Sequence, residues 1–340
     1  MSESYRKAGV DLQRLDALKE QIGSLVRATW NSQVSSVSRA FAGVMRCASS
    51  AEGHAIMVAA TTDGVGTKTL LASAFGRWEV IGKDVVNHSL NDLLCAGAEP
   101  FFFMDYIAAS KLEEDALLAI VRGMVTACAD AGCPILGGET ALMPDMYAPG
   151  AVEVVGTMLG TVTDEHYIGP HRVQPGDVLV GLPSSGLHTN GYSLVRQLFT
   201  RDELERYYEE LGCPLAEALL LPHRSYMKEM KLARASGGLH AAAHITGGGL
   251  PGNLPRVLPE NCMVSVDTGS WEAPPVFGVI QRKGRIPTQE MFQVFNMGVG
   301  MVLVMETAAA VDLLATLPDA WMMGQVLVAE LGQSRLQFER

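Results

Sequence analysis

The chain has 340 residues, 48% of them hydrophobic and 19% charged, a composition that suits a folded protein with two substantial cores and excludes a disordered one. Its formal charge of −11 is offset by no local cluster of Lys and Arg, which argues against a nucleic-acid surface. Phosphorylated ligands would then be met by local cations, amides and metal rather than by the overall field. The cysteines (Cys47, Cys95, Cys128, Cys133, Cys213, Cys262) form no C-x-x-C pair and sit in apolar context, so they read as buried thiols of a cytoplasmic protein. The charged N-terminus has no apolar core of a secretory signal, and no run of about 18 apolar residues predicts a membrane span.

Residues 11–27 place Leu12, Leu15, Leu18, Ile22, Leu25 and Val26 at helical spacing, opposite Arg14, Asp16, Lys19 and Glu20. The serine-rich stretch Asn31 to Ala42 reads as a mobile segment. An apolar run, Ala55 to Ala60, predicts a buried strand, and Thr61-Thr62-Asp63-Gly64-Val65-Gly66-Thr67-Lys68 follows it. Glycines admit backbone amides close to an anion, Lys68 offers a balancing cation, and Asp63 is a candidate magnesium ligand. Taken alone, the octet reads equally well as a strand-to-helix turn with an exposed lysine. It is not a Walker loop, because no glycine completes G-x-x-x-x-G-K.

A helix from Gly82 carries Val85, Leu90, Leu93 and Leu94 on one face and Asp84, His88, Asn91 and Asp92 on another, and Gly97 and Pro100 end it. Asp92 is the second metal candidate, and His88 reads as a structural hydrogen-bonder. Phe101 to Ile107 predicts a buried strand. Ser110-x-x-Glu113 reads as a capping box for a helix over 115–131, with Leu117, Ile120, Val121, Met124, Val125 and Cys128 inward. A strand over 134–140 then delivers Gly137, Gly138, Glu139 and Thr140. Asp63, Asp92 and Glu139, from separate elements, would suit magnesium with phosphates.

After a strand over 152–162, the Gly- and Pro-rich stretch 169–177 marks a domain boundary, giving domains 1–168 and 169–340. The loop after strand 178–182 gathers Ser185, Gly186, His188 and Asn190 before a helix from Tyr192, a natural anion site in which His188 is a candidate acid or base, ranked above His166 and His223. Thr246, Gly247, Gly248 and Gly249 read as a phosphate-binding turn. This stretch formally fits G-x-G-x-x-G with Asp267 as a ribose acid, but Pro251 and Pro255 leave little room for the helix a dinucleotide fold needs. A strand over 299–305 follows, then a helix and a strand near 326–331.

The ordered motifs TTDGVGTK (61–68), GKDVVNHSLNDLLCAGAEPFFFMDY (82–106), GGETALMPDMY (137–147), SSGLHTNGYSL (184–194), HITGGGLPGNLPRVLP (244–259) and FNMGVGM (295–301) resemble the phosphoribosylformylglycinamidine cyclo-ligase family, also called aminoimidazole ribonucleotide synthetases. The earlier motifs are similar to those of selenophosphate synthetase, thiamine-monophosphate kinase and the glutamine-dependent enzyme one step earlier in purine synthesis. DYIAASKL (105–112), MPDMY (143–147) and HTNGYSL (188–194) favour the cyclo-ligase.

The resemblance implies an α/β (α+β) chain of two domains. The N-terminal sheet-and-helix domain would dimerise into a barrel, giving a homodimer with ATP clefts between subunits, and a C-terminal α/β domain would complete the substrate cleft. It implies ATP and Mg2+ as cofactors and an ATP-dependent ring closure of formylglycinamidine ribonucleotide. Asp63, Asp92 and Glu139 would hold magnesium. Gly64, Gly66, Thr67, Lys68, Asn91, Gly137, Gly138 and Thr140 would bind ATP. His188, Asp92 and Lys68 would be catalytic, and Ser185, Gly186, His188, Asn190 and Thr246 to Gly249 would meet the substrate. The chain departs from the family in its glycine-poor segment 34–43, in Gly23 where a basic residue is common, and in Asp145 where glycine is usual. Two alternatives remain beside the cyclo-ligase: a catalytically impaired paralogue that keeps the ligand cleft, and a related ATP-using small-molecule kinase.

Overall fold

The computed structural model describes residues 3–35, 40–50, 53–330 and 333–339, without the side chains of residues 12, 13, 15 and 16. Part of the expected mobile segment (36–39) and part of the first apolar stripe (Leu12, Leu15) therefore lie outside the described residues. The chain opens with α1 (Glu3–Lys7) and α2 (Leu12–Arg27). A first sheet unit follows: β1 (Gly43–Ser49), β2 (Ala55–Gly64), α3 (Lys68–Phe75), α4 (Trp78–Leu94), β3 (Glu99–Ala109), α5 (Glu114–Ala131), β4 (Ile135–Leu142) and β5 (Val152–Thr163). Its strands lie in the order β1-β2-β5-β3-β4, antiparallel except for β3 and β4, which α5 connects as a parallel pair. Strand alternation is clear in β2, where Ala55, Met57 and Ala59 are buried between half-exposed neighbours.

Helices α4 and α5 cover one face of this sheet at very close approach. A Cβ at Gly82 would stand 1.9 Å from the Ile120 carbonyl oxygen, and one at Gly123 would stand 2.0 Å from that of Glu79, so only glycines permit the crossing. The inward stripe of α5 is narrower than its apolar content predicts. Ile120, Met124 and Cys128 are buried, while Val121 and Val125 face solvent. The expected capping box does not form: Glu113 pairs with Lys111 at 3.0 Å, and the Ser110 hydroxyl donates to the Ala148 carbonyl at 3.5 Å. The opposite sheet face carries Val58, Phe102, Met104, Tyr106, Val155 and Leu159, all half-exposed or exposed. Phe101 is 63% exposed, so β3 is not the fully buried strand that its run of aromatics predicts.

The second unit contains β6 (Val178–Pro183), α6 (Tyr192–Leu198), α7 (Arg201–Glu205), β7 (Tyr207–Tyr208), β8 (Cys213–Pro214), α8 (Leu215–Leu219), α9 (Met227–Ala235), β9 (Leu239–His244), α10 (Gly249–Asn253), β10 (Cys262–Asp267), α11 (Pro275–Gly284), α12 (Thr288–Val294), β11 (Val299–Met305), α13 (Thr307–Thr316), β12 (Trp321–Val328) and β13 (Leu336–Glu339). Six strands run β13-β10-β12-β6-β11-β9. Every residue of β11 is buried, as its continuous apolar sequence requires of a central strand covered on both faces. The short α10, with Pro251 inside it, bears out the rejection of a dinucleotide fold.

Among the contacts that tie the second unit to the rest of the chain, two involve α1 and α4. Glu290 of α12 accepts the backbone N–H groups of Ser4 (2.8 Å) and Tyr5 (3.3 Å), so α1 is anchored on the second unit. The polar stripe of α4 grips the segment 221–226 by its main chain. Asp84 accepts His223 N–H (2.7 Å), Asn87 donates to the His223 carbonyl (2.7 Å), and Asn91 donates to the Arg224 carbonyl (2.8 Å) while accepting Tyr226 N–H (3.0 Å). Residues three, four and seven apart share one helix face, so a single stripe serves the whole segment.

Candidate active site

Between the two units opens a cleft of about 1550 Å³, bordered by α1, α2, the β2–α3 turn, α4 and the loops before α6 and α10. The β2–α3 turn behaves as its glycines predict. Gly66 takes a φ of 69°, and Gly64, Gly66 and Thr67 all line the cleft. The Thr67 hydroxyl lies 3.1 Å from that of Ser193, joining this turn to the start of α6. Asp63, Asp92, Asn190, Thr246, Gly247 and Gly248 also border the cleft, as expected. The Asn190 Nδ2 group is buried and has no acceptor among the described residues, a donor left for a ligand oxygen.

The carboxylates are held by histidines. Asp63 Oδ2 meets His88 Nε2 at 2.9 Å, and its Oδ1 accepts Gly64 N–H at 2.7 Å. Asp92 Oδ1 meets His244 Nδ1 at 2.7 Å. His88 Nδ1 contacts the Thr189 hydroxyl at 2.9 Å, and His244 Nε2 contacts His223 Nε2 at 2.9 Å. Burial alone would lower the His88 pKa, but Asp63, with Asp92 and Asp84 behind it, raises it to about 9. His88 is thus an imidazolium facing the cleft. Burial lowers the remaining histidines, His188 and His223 well below the usual range and His244 below it despite Asp92.

Several of the expected site residues do not border this cleft. Lys68 is wholly buried, paired with Asp84 at 2.8 Å and donating to the Leu221 carbonyl at 2.7 Å, so its ammonium does not border the cleft. Burial draws Lys68 down and Asp84 up in pKa, and their mutual attraction opposes both shifts. Asn91 is wholly engaged with the 221–226 main chain. His188 is 1% exposed, at a φ of 59°, and stacks on His223 with ring centroids 3.9 Å apart, so it does not border the cleft. Ser185 donates to the Pro222 carbonyl at 2.5 Å, the Gly186 carbonyl accepts Asn296 Nδ2 at 2.8 Å, and Gly249 packs its backbone against Phe292. Gly137, Gly138, Glu139 and Thr140 stand exposed on β4, an edge strand away from this cleft.

Sequence reasoning missed His88, His223 and His244 as a cluster. The signal for His88 was its place four residues before Asp92 on one helix, and for His244 its position at a strand end before glycines. His223 had none, since only the docking of its loop on α4 brings it in. Ligand atoms of His88, Asp92 and His244 lie within 4.8 Å of one another, as do those of His188, His223 and His244. In the second trio two rings are stacked at 22°, so their in-plane lone pairs do not converge on one ion. The carboxylate oxygens of Asp63 and Asp92 fit magnesium better, a hard cation that takes oxygen ligands.

Two α/β units with an amide turn, paired carboxylates and small-residue loops around one cleft define a protein of the phosphate-ligand-binding, two-domain class. Family models agree: residues 42–162 match the AIR synthase related protein N-terminal domain, and residues 174–335 match its C-terminal domain. The chain is 39% identical to the phosphoribosylformylglycinamidine cyclo-ligase of Brevibacillus brevis, covering 97% of each chain. It is 42% identical to that of Desulfitobacterium hafniense, covering 89% of each. Among solved structures, the Aquifex aeolicus thiamine monophosphate kinase complexed with AMPPCP and TMP superposes with a TM-score of 0.64 at 12% identity, covering 97% of this chain and 95% of that one. The chain belongs to the phosphoribosylformylglycinamidine cyclo-ligase family.

Proposed function

We propose that this chain is an ATP-dependent cyclo-ligase that closes the imidazole ring of formylglycinamidine ribonucleotide in purine biosynthesis. The observation that carries the reading is the convergence of Asp63, Asp92, the imidazolium of His88 and the Gly64–Thr67 turn on one cleft, in a chain alike to named cyclo-ligases over nearly its whole length. The γ-phosphoryl of ATP passes to the formyl oxygen, with ADP leaving. The amidine nitrogen then forms the C–N bond, and the oxygen departs with the phosphoryl group as phosphate. Asp63 and Asp92 would hold magnesium, which would neutralise charge on the triphosphate. The turn amides and His88 add fixed positive potential beside it, in the position assigned from sequence to Lys68 and His188. Asn190 Nδ2 and the Thr246–Gly248 turn receive substrate oxygens.

The chain works as a homodimer in the cytoplasm, with domains 1–168 and 169–340. The sheet face bearing Met104, Val155 and Leu159 supports pairing with a second copy, since a face of this kind is covered in a stable fold. Glu139 is in register with Tyr106 and so shares that face. Met104→Glu is expected to shift the sedimentation of the wild-type dimer to that of a monomer. A wild-type chain that sediments as a monomer at micromolar concentration would remove this part of the reading.

The reaction is tested by incubating the chain with formylglycinamidine ribonucleotide, ATP and magnesium while following aminoimidazole product and phosphate together. Equal amounts of the two are expected. Phosphorylated substrate without ring closure would identify a kinase, and ATP binding without any product would identify the impaired paralogue.

A further inference from the structure

Burial of Lys68 leaves open which cations meet the phosphates of a ligand. Besides His88, four basic side chains border the cleft among the described residues: Arg6, Lys19, Arg256 and Arg335. Arg335 donates to the carbonyls of Leu258 (2.8 Å) and Pro259 (2.7 Å), which fixes it as a structural clamp. Arg256 lies 3.7 Å over the Phe41 ring and donates to Asn253 Oδ1 at 2.9 Å. Lys19 has no ion pair or hydrogen bond among the described residues, and it is exposed. Arg6 is likewise exposed, and the nearby Glu3 is already paired with Lys7 at 3.0 Å.

Helix α2 presents a defined face to the cleft. Lys19, Ile22, Gly23 and Val26 all border it, at spacings of three, four and seven residues that make one helical face. Apolar Ile22 and Val26 are 49% and 48% exposed there, in place of the buried stripe that the periodicity predicts. A polyanion entering the cleft meets the carboxylates of Asp63 and Asp92, so an exposed ammonium on a neighbouring wall has an unmet charge to balance.

We infer that Lys19 on the cleft face of α2, assisted by Arg6, is the cation that binds a phosphate group of the ligand, in place of Lys68. The inference rests on the cyclo-ligase reading, and the phosphate belongs either to ATP or to the ribonucleotide substrate.

Calorimetric titration of ATP and of formylglycinamidine ribonucleotide, each on its own, tells these sources apart. Lys19→Ala is expected to weaken the ligand whose phosphate it meets by about tenfold, while adenosine binding stays unchanged and Lys19→Arg stays within about threefold of wild type. Adding Gly23→Lys to Lys19→Ala returns a cation to the same face one turn on, where a new Cβ meets only the end of the Arg27 side chain at 3.3 Å. This double variant is expected to regain most of the lost affinity. Unchanged binding of both ligands in Lys19→Ala and Arg6→Ala overturns the inference alone. So does equal loss in Lys19→Ala and Lys19→Arg, or a matching loss for adenosine, because each would mark a packing role. A wild-type chain that binds neither ligand overturns the cyclo-ligase reading as well.

Discussion

Lys68→Met is expected to lower the stability of the chain by about 3–5 kcal/mol, the range for removing one partner of a buried ion pair. Methionine fills most of the volume of the lysine stem beside Tyr192, so little of the loss comes from a cavity. What remains is Asp84, wholly buried, with the His223 N–H as its one remaining hydrogen-bond donor among the described residues. Adding Asp84→Asn removes the orphaned charge and keeps an oxygen for His223, so the double variant regains part of the stability. Chemical unfolding followed by circular dichroism measures both. The competing reading, in which Lys68 acts on phosphate, requires the opposite pattern: an unchanged unfolding midpoint with turnover abolished.

Asp92→Asn is expected to reduce turnover by about 10²–10³, or roughly 3–4 kcal/mol of transition-state stabilisation, as for removal of a preorganised charge-stabilising group. The amide keeps the size of the carboxylate and an oxygen to accept His244 Nδ1–H, now 2.7 Å away, so the fold should hold its unfolding midpoint within a few degrees. The negative charge toward the metal and the ligand is what disappears. Steady-state kinetics with magnesium in excess, beside a thermal melt, separates the two effects. Full activity in Asp92→Asn would reduce Asp92 to an anchor for His244 and move the metal site elsewhere.

Much of the frame was legible from local pattern. A continuous apolar run announced β2, the Asp63–Thr67 turn stands where its glycines suggested, and the helix expected from Gly82, which begins at Trp78, carries its polar and apolar stripes as spaced. Those signals are local, and the strands and loops built on them fall in the right places. The errors share a different physical origin. Periodicity identifies a face without saying what covers it. Asp84 and Asn91 read as one polar face with His88 and Asp92, but a main-chain segment more than 130 residues further on occupies those two. The same distant loop explains why Lys68, adjacent to an anion-binding turn, is sealed inside. In α2 the apolar stripe predicts burial, whereas Leu18 and Leu25 are 49% and 75% exposed and Ile22 and Val26 face a cleft. His88 borders the cleft and His188 does not, for a related reason. Both were visible as histidines near small residues, and only the packing of two units decides which one keeps a carboxylate neighbour and an opening to solvent.

The grip of α4 on residues 221–226 has a consequence for how this joint tolerates change. Its partners are amides and carbonyls, which every residue carries, so the helix recognises the path of the segment and not its spelling. Leu221, nearly half exposed, and Ser225 can drift in identity without disturbing that recognition. Length is another matter. A residue inserted or deleted there would put each carbonyl and amide out of step with a helix whose side chains recur at a fixed rise, and the joint would lose all its contacts together. The segment is written in metre more than in words.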